Sequence, residues 1–221
     1  MAVEIAYITN FLSKVEGPRQ RRGYIPCNRI SDGKGKNYIG PNGTPADGVQ
    51  FPAKGLPTAF TAMGASGVTI ATGCDLGQTD VASLKGYGLS EDYITPLKPY
   101  IGLKKAAALK KLYQTPLLVS PQCAEAIDHA LHGGYLKRYV EPTYNKASKI
   151  PFADLPPQAQ AVIFSVIFQK GPTGVPRDWP KTWKYLTTQN WRAASNELKT
   201  GFKQYTGRRT IEGNLLAELC K

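Results

Sequence analysis

The stretch Gly67-Val-Thr-Ile-Ala-Thr-Gly-Cys-Asp-Leu-Gly77 carries a hydroxyl, Thr69, and a carboxylate, Asp75, six residues apart between glycines. Its β-favouring Val-Thr-Ile core predicts a short extended segment. The glycines would let the backbone turn tightly and come close to a ligand. The plainer account is a strand followed by an ordinary glycine turn. A second carboxylate, Glu16, ends a helical pattern just before Gly17-Pro18. An acid in a last turn opposes the helix dipole, and local inconsistencies of that kind often mark function. A solvated Glu at a frayed helix end is the competing explanation. The chemistry on offer is that of oxygen groups. Cys27, Cys74, Cys123 and Cys220 contain no CxxC pair, and His129 and His132 are the only histidines. Neither a metal site nor a cofactor is expected from them.

These groups need elements to hold them. Val3, Ile5, Ala6, Ile8, Leu12 and Val15 predict a helix over 3–15, stopped by Gly17 and Pro18. From Arg19 to Ser66 the chain is rich in Gly, Pro, Asn and Asp, with strands expected at 22–25 and, more weakly, at 49–51. That length is unusual for a connection inside a compact domain and marks the segment as a candidate for function. Its Gly33-Lys-Gly-Lys36 run lacks the spacing of a P-loop. After Gly77 the pattern turns helical, over 80–85, 90–97 and 103–113. A longer helix is expected from a Ser120-Pro121 start through Tyr139, loosened at Gly133-Gly134. Residues 142–150 predict a further turn of helix or a loop. Ala159 to Phe168 reads as a buried central helix, with strand as the alternative, and helices over 179–186, 190–198 and 208–219 follow.

A chain of 221 residues with 42% hydrophobic content can bury a sizeable core. It has no apolar run long enough to span a membrane, and its first residues carry no signal-peptide pattern. The formal charge of +12 favours a polyanionic partner. The positive charge is spread along the chain in short clusters such as Arg19 to Arg22, so a general attraction is expected rather than a dedicated arm. No nucleic-acid partner is expected, because aromatic and basic residues are not interleaved in a motif. Free thiols are the default, with a Cys27–Cys74 bridge conceivable in an oxidising compartment.

Two distant blocks read together carry a resemblance. One is Glu16-Gly17, Gly23-Tyr-Ile-Pro26 and GVTIATGCDLG. The other is Phe164-Ser-Val-Ile-Phe-Gln169-Lys-Gly-Pro-Thr-Gly174, Trp183, Asn190-Trp191 and Arg208-Arg-Thr-Ile-Glu-Gly-Asn-Leu-Leu216. Together they resemble the pesticin-like muramidases of the phage-type lysozyme superfamily. The resemblance implies an α+β, mostly α, lysozyme-like fold with a small β-containing N-terminal lobe and a larger helical C-terminal lobe. It implies a single catalytic domain over 1–221, with one lobe at 16–77 and the helical lobe at 78–221 plus the helix at 3–15. The gap between Glu16 and Thr69 implies a loop-rich insertion across about residues 28–60. The implied activity is hydrolysis of the β-1,4 bond between N-acetylmuramic acid and N-acetylglucosamine. Glu16 falls on the family's general acid, and Asp75 with Thr69 on the groups that position water. Such cleavage needs two carboxylates of different pKa, and Glu16 would have to be kept protonated by burial. Tyr24, Gln169 and Thr173 are candidates to touch sugar.

Peptidoglycan glycan strands are the expected partner, an immunity or inhibitor protein would fit as another, and a monomer is expected. The site of action would be the periplasm or cell wall, reached through holin pores as a phage endolysin or through a secretion system as an antibacterial toxin effector. The competing expectation is a non-catalytic cell-wall polysaccharide-binding protein on the same scaffold.

Overall fold

The computed structural model describes residues 5–29, 35–38 and 60–220. The strand expected at 49–51 and most of the 28–60 insertion lie outside them. The chain divides into two compact units, Glu16–Leu131 and Met1–Val15 with His132–Lys221.

The first unit is built on an antiparallel sheet. Strand β1 (Gln20–Arg29) pairs with β2 (Gly35–Tyr38) and β3 (Phe60–Ala62) towards its end. Near its start it pairs with β4 (Thr69–Ala71), which turns back into β5 (Cys74–Asp75). The strand expected at 22–25 is therefore longer at both ends. Pro26 lacks a donor, and its carbonyl takes the Met63 N–H at 2.8 Å. The register between β1 and β4 shifts between Gln20 and Tyr24, a bulge that increases local twist.

Helices α2 (Val81–Gly86), α3 (Glu91–Ile94), α4 (Lys105–Gln114) and most of α5 (Pro121–Tyr135) belong with this sheet. Residues 78–131, expected with the helical lobe, thus fall in the sheet-bearing unit. The physical reason is a shared core: Ile25, Val68, Ile70 and Leu76 from the sheet region pack with Leu84, Leu97, Leu112 and Ile127. Pro96 and Pro99 convert the helix expected over 90–97 into α3 followed by a 3₁₀ segment, Thr95–Tyr100. The start of α5 is as expected: the Cys123 N–H donates to the Ser120 hydroxyl at 3.0 Å, and Pro121 is the first helical residue.

The second unit is helical. After Tyr135 the chain continues through a π turn, Leu136–Val140, into α6 (Glu141–Ala147). The glycines at 133–134 do not interrupt it. Burial of Leu136, Val140 and Tyr144 outweighs their poor helix propensity. Helix α7 (Pro157–Lys170) is the centre, with residues 159–167 all buried. Helices α1 (Ile5–Val15), α8 (Gly174–Asp178) and α11 (Thr206–Ala217) pack on α7, and α9 (Pro180–Thr187) and α10 (Trp191–Thr200) complete the bundle. A helix covered on several sides can be apolar all round, which settles the choice between helix and strand there. No helix among the described residues is long and apolar enough to cross a membrane.

Candidate active site

The glycine-framed stretch builds a carboxylate cradle. Asp75 caps the 3₁₀ turn Leu76–Gln78, and its Oδ1 accepts the Gly77 N–H at 2.8 Å and the Gly67 N–H at 3.0 Å. The two glycines lie back to back. A Cβ on Gly67 would sit 2.4 Å from the Leu103 carbonyl oxygen and 2.5 Å from the Gly77 Cα. A Cβ on Gly77 would meet the same carbonyl at 2.6 Å. The close approach that glycine permits is used here between two backbone segments, and it brings both N–H groups to one carboxylate oxygen. Burial raises the Asp75 carboxyl above its ordinary value. The Gly67 and Gly77 N–H groups, the Lys104 ammonium and the Gln78 N–H pull the other way, by favouring the charged form. Lys104 is steadied by Gln78, whose Oε1 accepts from Nζ at 3.2 Å and whose Nε2 donates to the Ala65 carbonyl at 2.7 Å.

Sheet register sets the neighbours of Asp75. Thr69 lies directly opposite Asp75 on β5 and directly opposite Tyr24 on β1. Residues opposed in an antiparallel pair point to the same face, with Cα atoms about 4.5–5.5 Å apart. Tyr24, Thr69 and Asp75 therefore form a row across three strands. Thr69 is buried, with its hydroxyl 3.5 Å from the Gly67 carbonyl oxygen. The Tyr24 phenol is pushed up to about 12, by burial first and then by the negative charges of Glu16 and Asp75. Both carboxylates thus act on one hydroxyl, which stays a proton donor at neutral pH.

Glu16 itself is exposed. The burial that the implied general-acid role calls for is not present at Glu16 in this structure: the first helix ends at Val15, and Gly17, with φ +102°, turns the chain immediately afterwards.

Gln169 and Thr173 belong to the other unit. The Gln169 side-chain oxygen accepts from Nη2 of Arg209, which is buried and lies over the Trp179 ring. Arg208 and Arg209 both donate to Glu212, and Ser165 donates to the same carboxylate at 2.6 Å. Thr173 is exposed on a groove of about 670 Å³, lined also by Lys146, Pro176, Arg177 and Trp183. All four cysteines are free thiols. Burial pushes the Cys74 thiol up to about 12, helped by Asp128 and Asp75, so it is no nucleophile at neutral pH. His132 is buried, its Nδ1 3.0 Å from the Thr9 hydroxyl, and His129 is exposed.

One further acidic group bears on the site. Asp128, fully buried on α5, accepts from Arg19 and from Thr72 in the β4–β5 turn. Its signal in the sequence is positional: it sits among Ala124, Ile127 and Ala130, on the apolar side of its helix.

Residues 44–192 match the pesticin family, described as a bacterial toxin homologue of phage lysozyme, C-terminal part. The chain belongs to this family. The match takes in Thr69, Asp75, Gln169 and Thr173, whereas Glu16 and Tyr24 precede it. No curated protein is significantly similar to the chain. Membership agrees with the mostly helical architecture around a small sheet, and it supports a lysozyme-like peptidoglycan hydrolase in general.

Proposed function

We propose that the protein is a muramidase that cleaves the β-1,4 bond between N-acetylmuramic acid and N-acetylglucosamine in peptidoglycan, with inversion. The observation that carries this reading is the row Tyr24–Thr69–Asp75, with Glu16 acting on the same phenol. Asp75 takes a proton from water, and the Thr69 hydroxyl helps to orient that water. The water oxygen bonds to the anomeric carbon as the glycosidic bond breaks, and Glu16 gives its proton to the leaving oxygen. The burial that raises Asp75 makes it a stronger base once ionised. Glu16, exposed in the free protein, is open to the leaving oxygen of a bound glycan. Inversion calls for carboxyl groups roughly 6.5–9.5 Å apart, with space for the water.

The charge of +12 draws the protein to the anionic cell envelope. It acts as a monomer on glycan strands in the periplasm or cell wall, as a phage endolysin or a delivered toxin, and an immunity protein would act by blocking the row. Digestion of purified peptidoglycan with mass analysis of the muropeptides tests the reading. Reducing muramic acid ends are expected from the wild type and not from Glu16→Gln. Anhydro ends would indicate a lytic transglycosylase, and sugar binding without release would leave a polysaccharide-binding protein.

A further inference from the structure

Asp128 uses both carboxylate oxygens on two segments far from it in sequence. Oδ1 accepts the Thr72 backbone N–H at 2.8 Å. Oδ2 accepts the Thr72 hydroxyl at 2.8 Å and Arg19 Nε at 2.7 Å. The Arg19 guanidinium also lies 3.7 Å from Glu125, and its side chain is 35% exposed, against 0% for Asp128. Arg19 stands three residues after Glu16, and Thr72 three residues before Asp75. The grip on Thr72 is double, by amide and hydroxyl, and falls where Ala71 already has φ +52°. A turn held in that way cannot pivot about a single bond. A buried carboxylate is costly, and an apolar side chain of similar size often serves stability as well or better. Its place in an apolar core is therefore better explained by what it orients.

We infer that Asp128 is a positioning residue: through Arg19 and Thr72 it fixes the spacing between the segment carrying Glu16 and the hairpin carrying Asp75. The inference rests on the muramidase reading, in which that spacing decides whether a water fits between sugar and base.

The full chain is tested as Asp128→Asn, Thr72→Val and Thr72→Ser, below the melting temperature of each. Asp128→Asn keeps the shape but sets an amide or a neutral oxygen against Arg19. Thr72→Val removes only the hydroxyl, and Thr72→Ser restores it. Asp128→Asn and Thr72→Val should each lower kcat by about 10²-fold with KM little changed, as expected for a misplacement of order 1 Å. Thr72→Ser should recover most of the rate. Asp128→Asn combined with Thr72→Val should cost no more than the worse of the two alone, because both break the same link. Wild-type kcat in folded Thr72→Val and Asp128→Asn would overturn the inference, as would kcat losses that only track the loss of folded protein. Amide exchange at Gly67 and Gly77 needs no turnover. It should quicken in Asp128→Asn and Thr72→Val, and unchanged exchange would overturn the inference. A wild type that cleaves no glycan would remove the muramidase reading, leaving the exchange result to decide the role of Asp128 in holding the hairpin. If Asp128→Asn does not fold, the Thr72 pair decides the question.

Discussion

Replacing Gly77 by Ala tests how the Asp75 cradle is made. The added Cβ would lie 2.6 Å from the Leu103 carbonyl oxygen, about 0.8 Å short of the 3.4 Å at which ordinary contact begins, and 2.8 Å from the Gly67 Cα. The opposing atoms are backbone, so no side chain can swing aside. The segments must separate, at a cost of about 1–3 kcal/mol for overpacking. Separation also stretches the Gly77 and Gly67 N–H bonds to Asp75. Hydrogen bonds to a charged group contribute about 1.5–3 kcal/mol each, of which a partial stretch forfeits a fraction. A total of about 2–5 kcal/mol should lower the melting temperature by roughly 5–15 °C for a chain of this size. Activity below that temperature should fall by about 10²-fold, because Asp75 is displaced. Thermal melting and release of reducing ends give the two numbers. Gly133→Ala, at a helical glycine with nothing within 4 Å of the added carbon, is the control and should not destabilise. Wild-type melting and wild-type turnover in Gly77→Ala would show that the backbone contact at Leu103 and Gly67 does not hold Asp75.

Asp75→Asn should remove activity, by about 10²–10⁴-fold, without destabilising the fold at pH 7. Burial raises the native carboxyl, so the folded state holds more protons than the unfolded one between the unfolded value and the raised native one. Stability falls as pH rises through that window, and the cost of the buried charge is fully present above it. The amide keeps an Oδ1 for both glycine N–H groups, so Asn should be at least as stable near neutrality. That advantage should shrink as pH falls towards the unfolded value of about 3.9; melting curves at several pH values check this. Glu212→Gln removes the countercharge shared by Arg208 and Arg209 in the helical unit and should cost about 3–5 kcal/mol in urea unfolding. A loss below about 1 kcal/mol would contradict a charge-bearing role for the cluster. Raising the ionic strength from 0.01 to 1 M shortens the screening length from about 30 to about 3 Å. Clearing of whole cells should then fall far more than cleavage of short soluble glycans, as turbidity and reducing-end assays would show.

The elements were legible where the pattern was strong. Helix α7 announces itself by its length and apolarity, and Ser120-Pro121 by its capping chemistry. The Gly67–Gly77 stretch marks the candidate site because Thr69, Asp75 and glycines occur together there. What glycine does there was not legible: Gly67 packs on Gly77 and Leu103 only after the chain has folded back on itself. Asp128 escapes for a similar reason, since its partners lie 56 and 109 residues away. Periodicity places helices without saying which core they join, so the extent of the helical lobe is not legible in it. Residues 78–131 pack on the sheet's own core. A general-acid role calls for a buried Glu16, whereas its position after the last helical residue leaves it exposed.

In the proposed reaction Glu16 and Asp75 act from the two sides of a sugar with a water between them. The anomeric configuration of the newly released reducing end, recorded by proton NMR before mutarotation, tests it most directly. Cleavage of a β-linkage by this arrangement yields the α anomer first. A β anomer formed first would mean retention, with carboxyl groups about 5–5.5 Å apart and Asp75 as a nucleophile, and would contradict the inverting mechanism.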